Sequence, residues 1–252
     1  MFTLVAWTEV IDTGANYGAV QALDDQHVTI RNDQVIVPEF APNLCGNYAI
    51  GLNLTHNQVS SPRLRAESLV DNPYVQTAIA PPDDPAWLDI WETPRPLDPG
   101  EGLIQNVIEN GVGATRVSVF AWLCDEITPA PEGVVEIIEF YSLTTLVPYT
   151  WTLCPLVPTQ QLRAGRYAIV GMRAESANGI VARLVMTGES RRPGCIVNTQ
   201  RQNTNDEKFT RARPQKWGEF THTYTPQAEF FADQADTSEI VFLYVVRIGE
   251  AE

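Results

Sequence analysis

Along most of the chain apolar and polar residues alternate, or apolar residues run together for four to eight positions, and each stretch ends at Gly, Pro, Asn or Asp. A period of two puts alternate side chains on one face, so these stretches predict strands. Val, Ile, Tyr and Thr, which pack well on a pleated surface, supply much of them. The pattern predicts strands over 2–10, 27–37, 47–55, 62–69, 74–79, 87–91, 103–108 and 116–124. It continues over 134–143, 150–157, 166–174, 180–186, 195–199, 220–224, 228–231 and 239–248. Two segments, 103–108 and 134–140, also fit helical spacing. Their length and β-branching assign them to strands, with a bulge expected in the second.

Ile127-Thr128-Pro129-Ala130-Pro131-Glu132-Gly133 interrupts the pattern at mid-chain. Two prolines without N–H donors break a ladder there and the glycine permits a turn, so it marks a boundary between domains 1–128 and 129–252. The halves repeat one another at a displacement of about 120 residues. Val37-Pro38 matches Val157-Pro158, and Gly46-Asn47-Tyr48-Ala49-Ile50 matches Gly165-Arg166-Tyr167-Ala168-Ile169. Gly51 then matches Gly171, Arg63-Leu64 matches Arg183-Leu184, Pro73 matches Pro193, and Val119-Phe120 matches Val241-Phe242. Eight short strands per half, in two sheets packed face to face, give an all-β chain of two tandem eight-stranded jelly-roll sandwiches. Strand count and spacing favour this over an immunoglobulin-like order. A domain of that size buries enough surface to need neither disulfide nor metal.

Charge adds an asymmetry. The 252 residues carry a net charge of −14. Residues 1–130 hold 17 acids and 5 bases, and residues 131–252 hold 14 acids and 12 bases. Such a surface repels phosphate backbones and anionic lipid, so no sequence-specific nucleic-acid reader is expected. The exception is the cluster Arg191, Arg192, Arg201, Lys208, Arg211, Arg213 and Lys216. A solvated polar loop is the plainer explanation. Electrostatic docking of an acidic partner is the sharper one, and the acidic half of another copy would fit. The longest apolar run, 240–246, is too short to span a membrane as a helix. The strand-like start at Met1 has no basic n-region, so no cleaved signal peptide is expected.

Candidate chemistry is sparse. Cys45, Cys124, Cys154 and Cys195 show no C-x-x-C spacing and read as core thiols. His27, His56 and His222 are not paired at metal-ligand spacing. Gly111-Val112-Gly113 lacks the third glycine of a dinucleotide loop and reads as a turn. Asn53-Leu54-Thr55 is a sequon inside a predicted strand, and no glycan is expected on it. Asp83, Asp84, Asp89 and Glu92 beside Trp87 and Trp91 form the densest acidic group. Carboxylates beside indoles suggest a glycan-binding or glycosidase site, or a calcium loop. On a strand, however, Asp89 and Glu92 would point to opposite faces. No catalytic residue, cofactor or metal site is assigned.

Leu162-Arg163-Ala164-Gly165-Arg166-Tyr167-Ala168-Ile169-Val170-Gly171, then Ala182-Arg183-Leu184, then Arg192-Pro193-Gly194, together with Gly46-Asn47-Tyr48-Ala49-Ile50-Gly51, carry a resemblance. The sequence resembles the double jelly-roll major capsid proteins of tailless icosahedral viruses of bacteria (bacteriophages) or archaea. The motifs cover some 35 residues and the architecture nearly the whole chain. The resemblance implies a non-enzymatic structural subunit of a viral coat, located in the virion and assembled in the host cytoplasm. It implies a homotrimer acting as a pseudo-hexameric tile, with neighbouring trimers, minor capsid or penton proteins and an internal membrane as partners. No amphipathic helix or basic arm precedes the first strand, so small partner proteins or loop residues are expected to reach membrane or genome. The rival reading from another class is the glycan-binding β-sandwich or glycosidase built on Trp87 and Trp91.

Overall fold

The computed structural model describes residues 2–11, 17–20, 35–45, 49–57, 68–70, 88–89, 95–97, 102–109, 115–124, 128–198, 215–232 and 234–249. Among these residues every regular element is a strand. The chain divides into two compact units, Val5–Asp125 and Glu126–Glu252, and Met1–Leu4 belongs with the latter. The strands expected over 27–34, 62–67 and 74–79, and the loops 71–86 and 200–214, lie outside the described residues.

The first unit contains β1 (Phe2–Ile11) from Val5 onward, β2 (Tyr17–Val20), β3 (Val35–Cys45), β4 (Ala49–Asn57), β5 (Ser68–Val70), β6 (Leu88–Asp89), β7 (Arg95–Leu97), β8 (Gly102–Glu109) and β9 (Thr115–Cys124). One sheet runs β1-β9-β3-β6, with β7 also on β3, and the other runs β2-β8-β4-β5. The segment with helical spacing, 103–108, is the strand β8, paired with both β2 and β4. Sequence pattern missed β2 and β7. Both are short edge strands, and β7 contains Pro96, which cannot donate to a ladder. The pattern also stops a strand at Val37-Pro38, whereas β3 continues to Cys45. Its register against β9 shifts between Ile36 and Glu39, around Pro38, where a bulge removes the need for that residue's N–H.

The second unit contains β10 (Val135–Ser142), β11 (Trp151–Pro155), β12 (Val157–Pro158), β13 (Arg166–Glu175), β14 (Gly179–Val185), β15 (Gly194–Asn198), β16 (Gly218–Thr221), β17 (Gln227–Ala232) and β18 (Glu239–Gly249). Its ladder runs β11-β17-β14-β15-β13-β18-β10-β12, with β16 on β13. The two halves of this ladder join where β15 pairs in parallel with the end of β13, at Ala174–Val197 and Glu175–Asn198. The bulge expected in 134–140 is absent, since β10 pairs with β18 in unbroken register from Val135–Val246 to Ser142–Glu239. It occurs on β13 instead, between Ile169 and Gly171. The inward set passes there from Tyr167 and Ile169 to Met172 and Ala174, all buried.

If β6 and β7 are taken as one interrupted strand and β12 as an addition, the described residues of each unit make eight strands. In both, the first pairs with the eighth, the eighth with the third and the third with the sixth. In both, the second pairs with the seventh, the seventh with the fourth and the fourth with the fifth. That is jelly-roll order, distinct from the immunoglobulin order. The duplication therefore lies in strand order rather than in a constant displacement. Equivalent strands start 133 residues apart at Phe2 and Val135, and 124 apart at Thr115 and Glu239. Gly46–Ile50 and Gly165–Ile169 are not equivalent, because the former leads into β4 and the latter into β13. What they share is local: each strand shifts register just before its glycine, Gly51 and Gly171. Val119-Phe120 and Val241-Phe242 do fall on equivalent strands, β9 and β18.

The core of the second unit is built from inward rows. Ile138 and Phe140 lie opposite Leu243 and Val241, and these lie opposite Met172 and Ala174. Ala228, Phe230, Leu184, Ala182, Cys154 and Cys195 supply the other side. Phe220 stacks on Tyr167 with ring centroids 5.1 Å apart and meets Phe140 edge-on at 6.2 Å. The Tyr167 hydroxyl donates to the Arg163 carbonyl at 2.6 Å, so its polar end is satisfied.

Gly194 lies opposite Arg183 in the β14–β15 ladder. A Cβ there would collide with the Ala182 carbonyl and approach the Arg183 Cα to 2.8 Å, backbone that cannot swing aside. Gly194→Ala should therefore lower the unfolding free energy by about 2 kcal/mol, read as a lower denaturant midpoint at unchanged slope.

Candidate interaction site

β14 is an almost wholly buried strand with one charged residue in it, Arg183. A buried charge survives in such a place only when paired and hydrogen-bonded. Register supplies the pair: Arg183 lies directly opposite Glu229 on β17, and its Nε donates to Glu229 Oε2 at 2.6 Å. Its guanidinium carbon stands 3.8 Å from the centroid of the Trp151 ring. Its Nη1 donates to the carbonyl of Leu4 at 2.9 Å. Gly194 on the other side has no side chain to crowd it.

Leu4 reaches this place because the start of the chain lies along the segment before β15. The Leu4 N–H donates to the Arg192 carbonyl at 2.8 Å, and the Arg192 N–H donates to Thr3 Oγ1 at 3.3 Å. Arg192 Nε is 4.0 Å from the same Glu229 oxygen that Arg183 holds. One carboxylate thus faces two guanidinium groups, and one of those groups holds the main chain near its beginning. Thr3 and Leu4 are buried.

The predicted basic cluster is divided by this arrangement. Arg191 and Arg192 precede β15, whereas Lys216 precedes β16. Lys216 Nζ pairs with Glu219 Oε1 at 2.5 Å, and Arg166 Nη2 reaches Glu219 Oε2 at 2.6 Å. Burial pushes the Glu219 carboxyl up, but the hydrogen bonds and charges of Lys216 and Arg166 outweigh it and hold it below its ordinary value. Arg192 and Lys216 therefore each meet a carboxylate of their own unit. Lys208, Arg211 and Arg213, with Arg201, lie outside the described residues.

The outer face of β10 offers a different kind of surface. Val135, Ile137 and Tyr141 alternate with buried Ile138 and Phe140 and are 52%, 52% and 39% exposed. Val157 on β12, opposite Tyr141, is also exposed. Glu139 shares this face between Ile137 and Tyr141, so the surface is apolar with one charge in it, a composition suited to a contact surface.

Elsewhere the polar residues serve the fold. Gly165 N–H donates to His222 Nδ1 at 3.3 Å, and His222 N–H donates to the Gly165 carbonyl at 3.1 Å. Cys154 and Cys195 are buried and not joined in a disulfide, and burial, with Glu239 nearby, pushes Cys154 up to about 12. Cys45, Cys124, His56 and Asn53 fall in strands of the first unit, and His27 lies outside the described residues. Asp89 is on β6, opposite Glu39, while Asp83, Asp84, Glu92, Trp87 and Trp91 lie outside the described residues. Among the described residues no three His, Cys, Asp or Glu side chains gather as metal ligands would. No helix there is long and apolar enough to cross a membrane. Sequence reasoning passed over Leu4, Trp151 and Glu229. The available signal was a pair of opposite charges set in otherwise apolar strands, at Arg183 and Glu229.

No family model matches the chain, and no curated protein does. Among solved structures it is similar to the major capsid protein P2 from bacteriophage PM2, at 9% identity and a TM-score of 0.26, over 99% of this chain and 98% of that one. It is similar to the major capsid protein (MCP) of the virus STIV, at 10% identity and a TM-score of 0.25, over 96% of both chains. It is also similar to Paenibacillus xanthan lyase, at 10% identity and a TM-score of 0.23, over 98% of this chain and 25% of that one.

Replacing Arg183 by Met keeps much of its volume but leaves Glu229 with the more distant Arg192 and the Leu4 carbonyl without its guanidinium donor. The expected cost is about 3 kcal/mol, seen as a lower thermal midpoint. Limited proteolysis should then remove the first residues of the variant faster than those of the parent chain.

Proposed function

We propose that the chain is a major capsid protein, a non-enzymatic subunit that forms homotrimeric, pseudo-hexameric tiles of an icosahedral virion shell. The observation that carries this reading is the strand order repeated in two units of one chain. Two like sandwiches per subunit give six per trimer, so a threefold object presents near-sixfold edges to its neighbours. The sequence resemblance to double jelly-roll coat proteins agrees with that logic. A tile also needs lateral faces, and the exposed Val135, Ile137, Tyr141 and Val157 supply apolar ones. The strongly acidic first half and the basic cluster of the nearly balanced second half supply steering between copies, with Arg211 and Arg213 facing acidic residues of a neighbour in this scheme.

In this reading the partners are further trimers and minor capsid or penton proteins. An internal membrane is reached through such proteins or through loops, and assembly takes place in the host cytoplasm. Nothing in the described residues favours the glycan-binding or glycosidase alternative.

The purified chain should elute with the mass of a trimer in light scattering and form pseudo-hexagonal tiles or closed particles in negative stain. A monomer that forms no particles and whose tryptophan fluorescence responds to oligosaccharides would overturn the reading. Reversing charge at Arg211 and Arg213 should make trimers dissociate at lower salt, measured by sedimentation. Unchanged sedimentation would remove the charge pairing from the scheme.

A further inference from the structure

The inward row of β18 reads Glu239, Val241, Leu243, Val245, and all four side chains are completely buried. The last three belong to the apolar core. Glu239 occupies the same row one step before them, opposite Ser142 on β10. Neither of its carboxylate oxygens has a hydrogen-bond partner.

The surroundings offer no compensating charge. From the β17–β18 loop Asp236 faces it with a second carboxyl, and from β11 Cys154 faces it with a thiol. Glu229 on β17 adds further negative charge at Cys154. Ser142 and Thr144 bond to one another and are neutral. Among the described residues no Lys, Arg or His enters the balance at Glu239.

Asp236 itself is occupied. Its Oδ2 accepts from Ser176 Oγ at 2.8 Å, from the Ala177 N–H at 2.7 Å and from the Asn178 N–H at 3.2 Å. Its Oδ1 accepts from the Thr237 N–H at 2.8 Å. Burial alone would raise it, but these bonds outweigh burial and hold it below its ordinary value, so it is charged at neutral pH. Asp236 therefore ties the β13–β14 turn to the β17–β18 loop as an anion, three residues before a buried acid that has no cation and no side-chain partner among the described residues.

We infer that Glu239 is a proton-operated latch: protonated, it stays packed at the end of the β18 core row, and ionised, it draws water into the corner between β10, β11 and the β17–β18 loop. A neutral carboxyl in an apolar row costs far less than an unpaired carboxylate beside Asp236, which must be hydrated or move outward. This device belongs to the second unit alone and does not depend on the capsid reading.

Burial, with the charge of Asp236 added, pushes Glu239 from 4.5 up to about 7, while the nearby N–H groups of Glu239 and Ser238 pull it down by less. Between those two values the folded chain holds a proton that the unfolded chain has released. Stability thus falls as the pH rises through that window and is level outside it. Asp236 acts in the opposite sense but below its ordinary value of 3.8, so the two effects separate.

The test compares the intact chain with Glu239→Gln, which has the same shape and no charge. The thermal midpoint of the parent should fall between pH 5 and pH 8, with the unfolding equilibrium rising on the order of 100-fold across the window. That of Glu239→Gln should stay level. A variant with the parent's pH slope would overturn the inference. Labelling of Cys154 relative to Cys195, resolved by mass spectrometry, gives a second measurement on the parent chain alone. Both thiols are buried, and of the two it is Cys154, on β11, that borders the corner that opens. The labelling ratio should rise tenfold or more from pH 5 to pH 8, and a constant ratio would overturn the inference even if the variant failed to fold.

Discussion

Between β10 and β13 the last strand, β18, finds ladder partners along both of its edges. Its inward residues Val241, Leu243 and Val245 are wholly buried, because rows from both neighbours converge on them. A strand in that position comes from the end of the chain and must be inserted between elements made about 100 and 70 residues earlier, at Val135 and Arg166. These pairings are non-local, so the loop-closure entropy is lost before the contacts reward it. β9 stands in the same relation to β1 and β3. Each unit therefore closes with its final strand, and hydrophobic rows must be in register at that step.

Two buried charges in the second unit show what this closure tolerates. Arg183 is placed by its ladder opposite Glu229, under Trp151, with the Leu4 carbonyl completing its bonds. It converts an interior cation into a fastener for the start of the chain. Glu239 has a comparable depth and none of those partners. The first charge adds rigidity through bonds that are lost together if one partner is removed. The second makes the corner responsive to protons because no cation or side chain compensates its charge.

Much of this architecture was legible from the pattern of apolar positions. Strand-like alternation located β8 and β10 despite their helical spacing, since β-branched residues and short length outweighed it. It could not see β3 beyond Pro38, because a proline reads as a stop until a bulge excuses its missing N–H. The doubling was visible for a partly wrong reason. The match between Gly46–Ile50 and Gly165–Ile169 reflects two bulged strand starts in non-equivalent strands. Strand order, which no local match records, carries the equivalence. The Arg183 fastener stayed hidden because it joins Leu4, Trp151 and Glu229 across the sequence, and a cross-strand pair is fixed only by register.

The drift between the copies is informative about what the fold holds constant. Equivalent strand starts are 133 residues apart at the beginning and 124 at the end, yet the six pairings of the jelly-roll order are kept, and the second unit adds the parallel contact of β15 with β13. Segments between strands can change length at small entropic cost, since loop closure varies only slowly with length. Ladder order cannot change without exposing an edge and its unpaired N–H groups. Two such units in one chain can accordingly share a framework while differing in their outer surfaces, one strongly acidic and the other nearly balanced. The ladders thus fix the scaffold of each unit, while charge and exposed apolar residues distinguish their outer surfaces.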